Sequence, residues 1–197
     1  MFSGVVEKIG ILTDIHFEEK NIYLTVSNPF EKSIKRGQSI SHNGVCLTVL
    51  KKKKENYTVN AVLDSLYKST LKTLKVCDKI NLERSLQLGS EIGGHFVPGH
   101  VNYTESIESI ETKKSSWLFK LRYDNFFSTI IEMGSVTING ISLTVLESKN
   151  FFFSVVVIPY TFEKSNFHLL RKGQKVNLEF DILGKYISHL IHTVCMT

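Results

Sequence analysis

The 197-residue sequence predicts an all-β fold of two homologous small closed barrels in tandem, followed by a C-terminal helix. Three observations predict it. Residues 39–50 (SISHNGVCLTVL) and 135–146 (SVTINGISLTVL) agree at seven of twelve positions, so the chain is written twice. Each copy reads as several short strands with one helical insert, in under 100 residues, a pattern that suits a small barrel. Leu183, Ile187, Leu190, Ile191 and Val194 then recur with helical spacing. The expected division is 1–96, 97–182 and 183–197.

An offset of 96 relates the halves. It aligns KINLE (79–83) with KVNLE (175–179), Lys68-Ser69 with Lys164-Ser165, and Val5 with Val101. Within each half the central hairpin is announced by Asn43-Gly44 and by its counterpart Asn139-Gly140, the strongest short turn signal. YTVNAVL (57–63) and FFFSVVVI (151–158) are β-rich runs, and KINLE and KVNLE close their modules as short strands. SLYKSTLKTLK (65–75) and TFEKSNFHLLRK (161–172) favour a short helix. The Gly-rich stretch GSEIGGHFVPGH (89–100) is the expected seam. A terminal helix of about a dozen residues is marginal alone in water, so its apolar stripe must be buried on a barrel or on copies of itself.

Composition narrows the function. With 42% hydrophobic and 22% charged residues the chain can build a core and is not disordered. Three cysteines (Cys46, Cys77, Cys195), an odd number with no C-x-x-C, argue against a disulfide framework or zinc ribbon and fit a reducing compartment. Glu7 interrupts any signal-peptide core, and the greasiest run, 151–158, is far short of the roughly 20 residues that span a bilayer. A soluble, cytoplasmic protein with no membrane partner is expected. The net charge of +5 is concentrated partly in KKKK (51–54), which reads as a solvated hairpin turn. Without interleaved aromatic platforms, a nucleic-acid partner is not expected.

Polar residues interrupt the strands in a repeated way. Cys46 and Thr48 in one half, and Ser142 and Thr144 in the other, stand at i and i+2, so each pair projects from one face. Hydroxyls so spaced suit the edge of a heteroaromatic ring, and twin pockets suit two copies of one ligand. With the offset of 96, Gly4 answers to His100, Cys46 to Ser142 and Ser85 to Asp181, so only the second module owns a His/Ser/Asp set. The plainer readings are a hydrogen-bonded histidine in a Gly-rich turn for His100 and a helix cap for Asp181. There is no G-x-S-x-G, so a serine-hydrolase triad is not expected. His95, His100 and Cys46 lack metal-ligand spacing, so no metal is expected.

Taken together, MFSGVVEKIG, NGVCLTV, IGGHFVPGHV, GSVTINGISLTV and IPYTFEKSN resemble, in order and spacing, the riboflavin synthases of the α-chain type, over essentially the whole chain. The resemblance implies two six-stranded Greek-key barrels plus a C-terminal helix, assembled as a homotrimer through those helices. It implies dismutation of two molecules of 6,7-dimethyl-8-ribityllumazine to riboflavin and 5-amino-6-(D-ribitylamino)uracil, with no cofactor or metal. Donor and acceptor would stack between the first barrel of one subunit and the second barrel of its neighbour. Association with lumazine synthase is a further implied partner.

Carried over position by position, the first pocket would comprise Gly4, Val5, Val6, Ser39, Cys46, Leu47, Thr48, Asn60, Ala61, Val62, Leu63, Asp64 and Ser65. The second would comprise Gly99, His100, Val101, Met133, Ser142, Leu143, Thr144, Ile158, Pro159, Tyr160, Thr161, Phe162 and Glu163. His100 and Ser142 are the expected proton-handling groups, assisted by Thr144 and Asp181. Cys46 would be a nucleophile or a polarising contact. Met133 stands where the family pattern has lysine, Asn60 where it has aspartate, Ser65 where it has threonine and Pro98 where it has serine. Non-catalytic lumazine proteins, which share the duplicated fold and only carry a chromophore, are the alternative reading.

Overall fold

The computed structural model describes residues 1–18, 21–30, 34–123, 130–149 and 151–195, apart from the side chains at 63, 64, 192 and 195. Twelve strands are formed among them. The first six are β1 (Lys8–Glu18), β2 (Asn21–Ser27), β3 (Ser39–His42), β4 (Val45–Lys52), β5 (Asn56–Val62) and β6 (Lys79–Arg84). The second six are β7 (Tyr103–Lys113), β8 (Ser116–Arg122), β9 (Ser135–Ile138), β10 (Ile141–Lys149), β11 (Phe152–Val157) and β12 (Lys175–Phe180). Each set closes into an antiparallel barrel, in the order β1-β2-β5-β4-β3-β6 and its counterpart β7-β8-β11-β10-β9-β12. Closure removes the edges that an open sheet of this size would expose.

The alternation of apolar and polar residues decides which way each strand faces. On β4, Val45, Leu47 and Val49 point into the first core, and on β10 Ile141, Leu143 and Val145 point into the second. The β3–β4 and β9–β10 hairpins turn through Asn43-Gly44 and Asn139-Gly140, all four at positive φ, as a two-residue type I′ turn requires. Lys51 and Lys52 belong to β4 itself, and the turn that follows falls at 53–55. The helical inserts are α1 (Leu63–Lys68) and α2 (Pro159–Lys164), each followed by a 3₁₀ turn. A terminal helix, α3 (Ile182–Cys195), follows β12 directly.

One expectation is corrected by the strand register. β1 and β7 pair with β6 and β12 so that Lys8 faces Leu82 and Tyr103 faces Leu178. The second barrel is therefore offset by 95 residues over its first two strands and by 96 thereafter. The extra residue falls in the connection from β8 to β9 (123–134), against 28–38 in the first barrel. Gly4 thus corresponds to Gly99, Val5 to His100 and Val6 to Val101, in place of Gly4 with His100 and Val5 with Val101. Matching positive φ values at Gly4 (78°) and Gly99 (83°) follow from this register.

The barrels meet through the two Asn-Gly turns. A Cβ built on Gly44 would lie 2.9 Å from the Gly140 nitrogen, so only glycine permits this approach. Around it lies a buried, nearly symmetric amide network. Asn81 Nδ2 donates to Asn139 O (3.0 Å), and Asn177 Nδ2 donates to Asn43 O (2.7 Å). Asn81 Oδ1 accepts from Asn166 N, and Asn177 Oδ1 from Thr70 N, both at 2.7 Å. Buried amides are tolerated because each is paired.

Candidate functional site

The outward face of β4 carries Cys46 and Thr48, and that of β10 carries Ser142 and Thr144, because the intervening leucines are taken by the cores. Cross-strand pairing extends the first row to Ser39, Thr48 and Asn60. Asn60 Oδ1 is buried and has no hydrogen-bond partner, an acceptor waiting for a donor that the chain does not supply. In the second barrel Ser135 pairs with Thr144, and the position answering to Asn60 is Val156. Thr48 and Thr144 are exposed, so both rows are open surfaces.

Two segments cross between the barrels to reach these rows. Gly4 O accepts from Ser142 N (2.8 Å), and Gly99 O accepts from Cys46 N (2.9 Å). Both approaches need glycine. A Cβ on Gly4 would sit 2.6 Å from Ser142 Cβ, and one on Gly99 would sit 2.7 Å from Cys46 Cβ. Val6 packs on the second core and Val101 on the first. The grouping expected from sequence is thereby exchanged. Gly4, Val5 and Val6 lie with Ser142, while Gly99, His100 and Val101 lie with Cys46. Each crossing is pinned by a buried carboxylate. Glu83 accepts from Ser3 N, Ser3 Oγ and Gly4 N at 2.6, 2.8 and 3.0 Å. Glu179 accepts from Gly99 N (3.2 Å) and His100 N (2.8 Å). Burial pushes both carboxyls above their ordinary range, and the donated N–H groups oppose it.

The residue that sequence reasoning missed is His95. Its Nδ1 lies 2.7 Å from Ser142 Oγ and its Nε2 lies 3.3 Å from Thr137 Oγ1. Burial holds its pKa below the ordinary histidine value, and the charge of Asp181 opposes that shift. Gly94 makes the approach possible, since a Cβ there would fall 2.2 Å from Ser3 O. The expected His/Ser/Asp set is therefore divided. Ser142 is in contact with His95, whereas His100 is exposed on the Cys46 side. Asp181 Oδ1 accepts from Leu183 N (3.0 Å) as a helix cap while its charge acts on His95.

The remaining positions flank the rows. Val62, Ile158, Tyr160 and Met133 are exposed, and Thr161, Ser65 and Glu163 belong to the inserts. Pro159 opens α2, and Phe162 stacks on Trp117 with ring centroids 3.7 Å apart. The side chains of Ala61, Leu47 and Leu143 are buried, so at those positions only backbone is offered to the outer face. The side chains of Leu63 and Asp64 lie outside the described residues. Among the described residues no three His, Cys, Asp or Glu side chains converge as metal ligands.

This duplicated arrangement matches known proteins. The lumazine binding domain family matches twice, over residues 3–85 and 98–181. Riboflavin synthase of Actinobacillus pleuropneumoniae is 34% identical over 193 residues, covering 97% of this chain and 90% of that protein. The chain belongs to the riboflavin synthase family. Riboflavin synthase of Bacillus subtilis (strain 168) is 32% identical over 98% of this chain and 90% of its own length. That of Mycobacterium bovis is 34% identical over 98% and 99%. The riboflavin synthase fold of this chain also superimposes on solved structures of LumP. The complex with riboflavin gives a TM-score of 0.84 at 22% identity, over 91% of this chain and 99% of that one. The complex with 6,7-dimethyl-8-(1'-D-ribityl) lumazine gives 0.82 at 21%. At such identities the likeness is one of fold.

Proposed function

We propose that the chain converts two molecules of 6,7-dimethyl-8-ribityllumazine into riboflavin and 5-amino-6-(D-ribitylamino)uracil by transfer of a four-carbon unit. The observation that carries this reading is the pair of like surfaces, each built from a polar row on one barrel and a glycine-led segment from the seam. Two equivalent surfaces bind two identical molecules. Once two such surfaces face each other, their ligands stack in opposite senses, as one donor and one acceptor need. Holding both reactants in place can account for up to roughly 7–11 kcal/mol of the barrier.

In this reading backbone groups beside Cys46–Thr48 and Ser142–Thr144 meet the ring edges, and the hydroxyls of Ser39, Thr48 and Thr144 hold the ribityl chains. Asn60 Oδ1 accepts from the ligand of the first barrel. Ser142, with His95 at 2.7 Å to receive its proton, is the group that handles protons or adds to the ring on the second barrel. His100 and Cys46 act on the ligand of the first. Because the rows are open, a second chain must cover them, and α3 is the element with the apolar surface to recruit it. We assign a homotrimer joined by α3, in the cytoplasm; no helix among the described residues is long and apolar enough to cross a membrane.

The test is direct. Purified protein given the lumazine and nothing else should develop the flavin absorbance band. A flat trace with intact ligand binding would select the carrier reading, the one its LumP-like fold also allows.

A further inference from the structure

The segment that delivers His95 is held by its backbone. Phe2 and Val97 exchange N–H···O bonds of 2.7 and 3.0 Å, and His95 N donates to Ser3 O at 3.1 Å. Gly94 lets the chain lie directly on β10, since a Cβ there would fall 2.6 Å from Ser142 Cβ. With the backbone fixed, each ring nitrogen meets a hydroxyl, Nδ1 that of Ser142 at 2.7 Å and Nε2 that of Thr137 at 3.3 Å. The two hydroxyls are cross-strand neighbours. Thr137 on β9 stands opposite Ser142 on β10, so their side chains share one face of the sheet. Ser142 is half-buried and within reach of a ligand, whereas Thr137 is buried.

A neutral imidazole carries one proton, and the nitrogen that holds it decides what the other can do. Two arrangements satisfy the ring and both hydroxyls. In one, Nδ1–H is donated to Ser142 and the Thr137 O–H to Nε2, which leaves no lone pair for the serine proton. In the other, the Ser142 O–H is donated to Nδ1 and Nε2–H to Thr137 Oγ1. The distances select the second, because hydroxyl donors make shorter bonds than N–H donors.

We propose that Thr137 is a positioning residue: by accepting the Nε2 proton it keeps the His95 Nδ1 lone pair turned to the Ser142 hydroxyl. Being buried, it acts only through His95. When the Ser142 proton passes to Nδ1, the ring becomes a cation with two N–H groups, one donated back to Ser142 Oγ and the other still taken by Thr137. The consequence for turnover rests on the proposed function, whereas the assignment of the ring proton does not.

The experiment reads the imidazole nitrogens of His95 by NMR in the full-length protein labelled at histidine, with His95→Gln identifying its signals among those of the seven histidines. The unsubstituted protein should show Nε2 protonated and Nδ1 bare. In Thr137→Val, which keeps the branched shape of threonine, an Nε2–H would face a methyl group unpaired, so the proton should move to Nδ1. With the lumazine, kcat should fall by roughly 3–10-fold, the worth of one neutral hydrogen bond, while KM stays in place. Thr137→Ser should restore both the tautomer and the rate. An unsubstituted protein protonated at Nδ1, a tautomer that Thr137→Val leaves in place even as Tm falls, an unchanged kcat in that variant, or no rescue by serine would overturn the proposal. A tautomer that follows Thr137 in a protein that does not turn the lumazine over would uphold the assignment and overturn the proposed function instead.

Discussion

At the residue scale the site turns on Ser142, whose N–H is taken by Gly4 O and whose hydroxyl meets His95 Nδ1. The backbone contact fixes the strand, leaving the hydroxyl to exchange protons. Ser142→Ala and His95→Gln should each lower turnover by roughly 10²–10⁴-fold, the usual worth of a positioned acid–base group, while ligand affinity changes little. Steady-state rates compared with fluorescence titration check this, and a parallel loss of binding would contradict it. Asn60 gives a prediction of opposite sign for stability. Its Oδ1 is buried without a partner, so Asn60→Val, the residue of the second barrel, should stabilise the free protein by about 1–3 kcal/mol. The same change should weaken ligand binding, and a lowered Tm would refute it. Cys46, Thr48, Ser142 and Thr144 were legible in the sequence because strand alternation is local and the repeat displayed it twice. His95 was not, since its partner lies 47 residues along the chain and the repeat does not point to it. Nor does a repeat reveal which barrel a crossing segment reaches, so Gly4 and Gly99 could be named but not assigned.

At the scale of elements the barrels differ most inside. His42 is fully buried on β3, with Nε2 2.8 Å from the Tyr57 hydroxyl and Nδ1 3.0 Å from Ile40 O. The corresponding pair in the second barrel is Ile138 and Phe153. Burial pushes the His42 pKa down from 6.5 to about 4. The unfolded chain then takes up a proton at higher pH than the folded one. Stability is full above pH 6.5 and falls as pH drops toward 4, by about 3 kcal/mol in all. Replacing both residues by their counterparts (His42→Ile with Tyr57→Phe) should remove this slope and cost little at pH 7, because no polar group is left unpaired. Tyr57→Phe alone should cost about 1–3 kcal/mol at pH 7. Urea unfolding at pH 7 and at pH 4.5 separates the cases, and an unchanged slope in the double variant would exclude His42 as its source. The strands and hairpins themselves were readable. Asn-Gly turns and alternating leucines are short-range signals, whereas the shift from 95 to 96 residues hides in a connection with no pattern to keep count.

The whole molecule raises the question of what α3 is for. Leu183, Ile187, Leu190, Ile191 and Val194 are between 58% and 71% exposed, although they form the one apolar stripe of the helix. Periodicity had announced that stripe but could not say whether a barrel or another chain covers it. The partly buried Ile182, Gly184, Lys185 and Ser188 show that its own barrel takes the other face. Burying five such side chains is worth roughly 1.5–3 kcal/mol each, enough in aggregate to hold subunits together after the cost of association. A polar row lying open on each barrel would have the same remedy, since in the proposed trimer the neighbour that covers the helix would also bring a second row to face the first. Truncation after Lys185 keeps Ile182, Gly184 and Lys185 of the face turned to the barrel and removes most of the stripe. The intact protein should sediment at about three times the 22.4 kDa chain and the truncated one as a monomer. Each truncated chain should still bind riboflavin on its rows, yet turnover should collapse, because donor and acceptor now meet only by collision and the advantage of fixed proximity is lost. Specific activity of the truncated chain should then rise with protein concentration while that of the intact protein stays flat. A truncated monomer that turns over at the intact rate, whatever its concentration, would mean that both ligands fit within one chain and that the helix serves some other end.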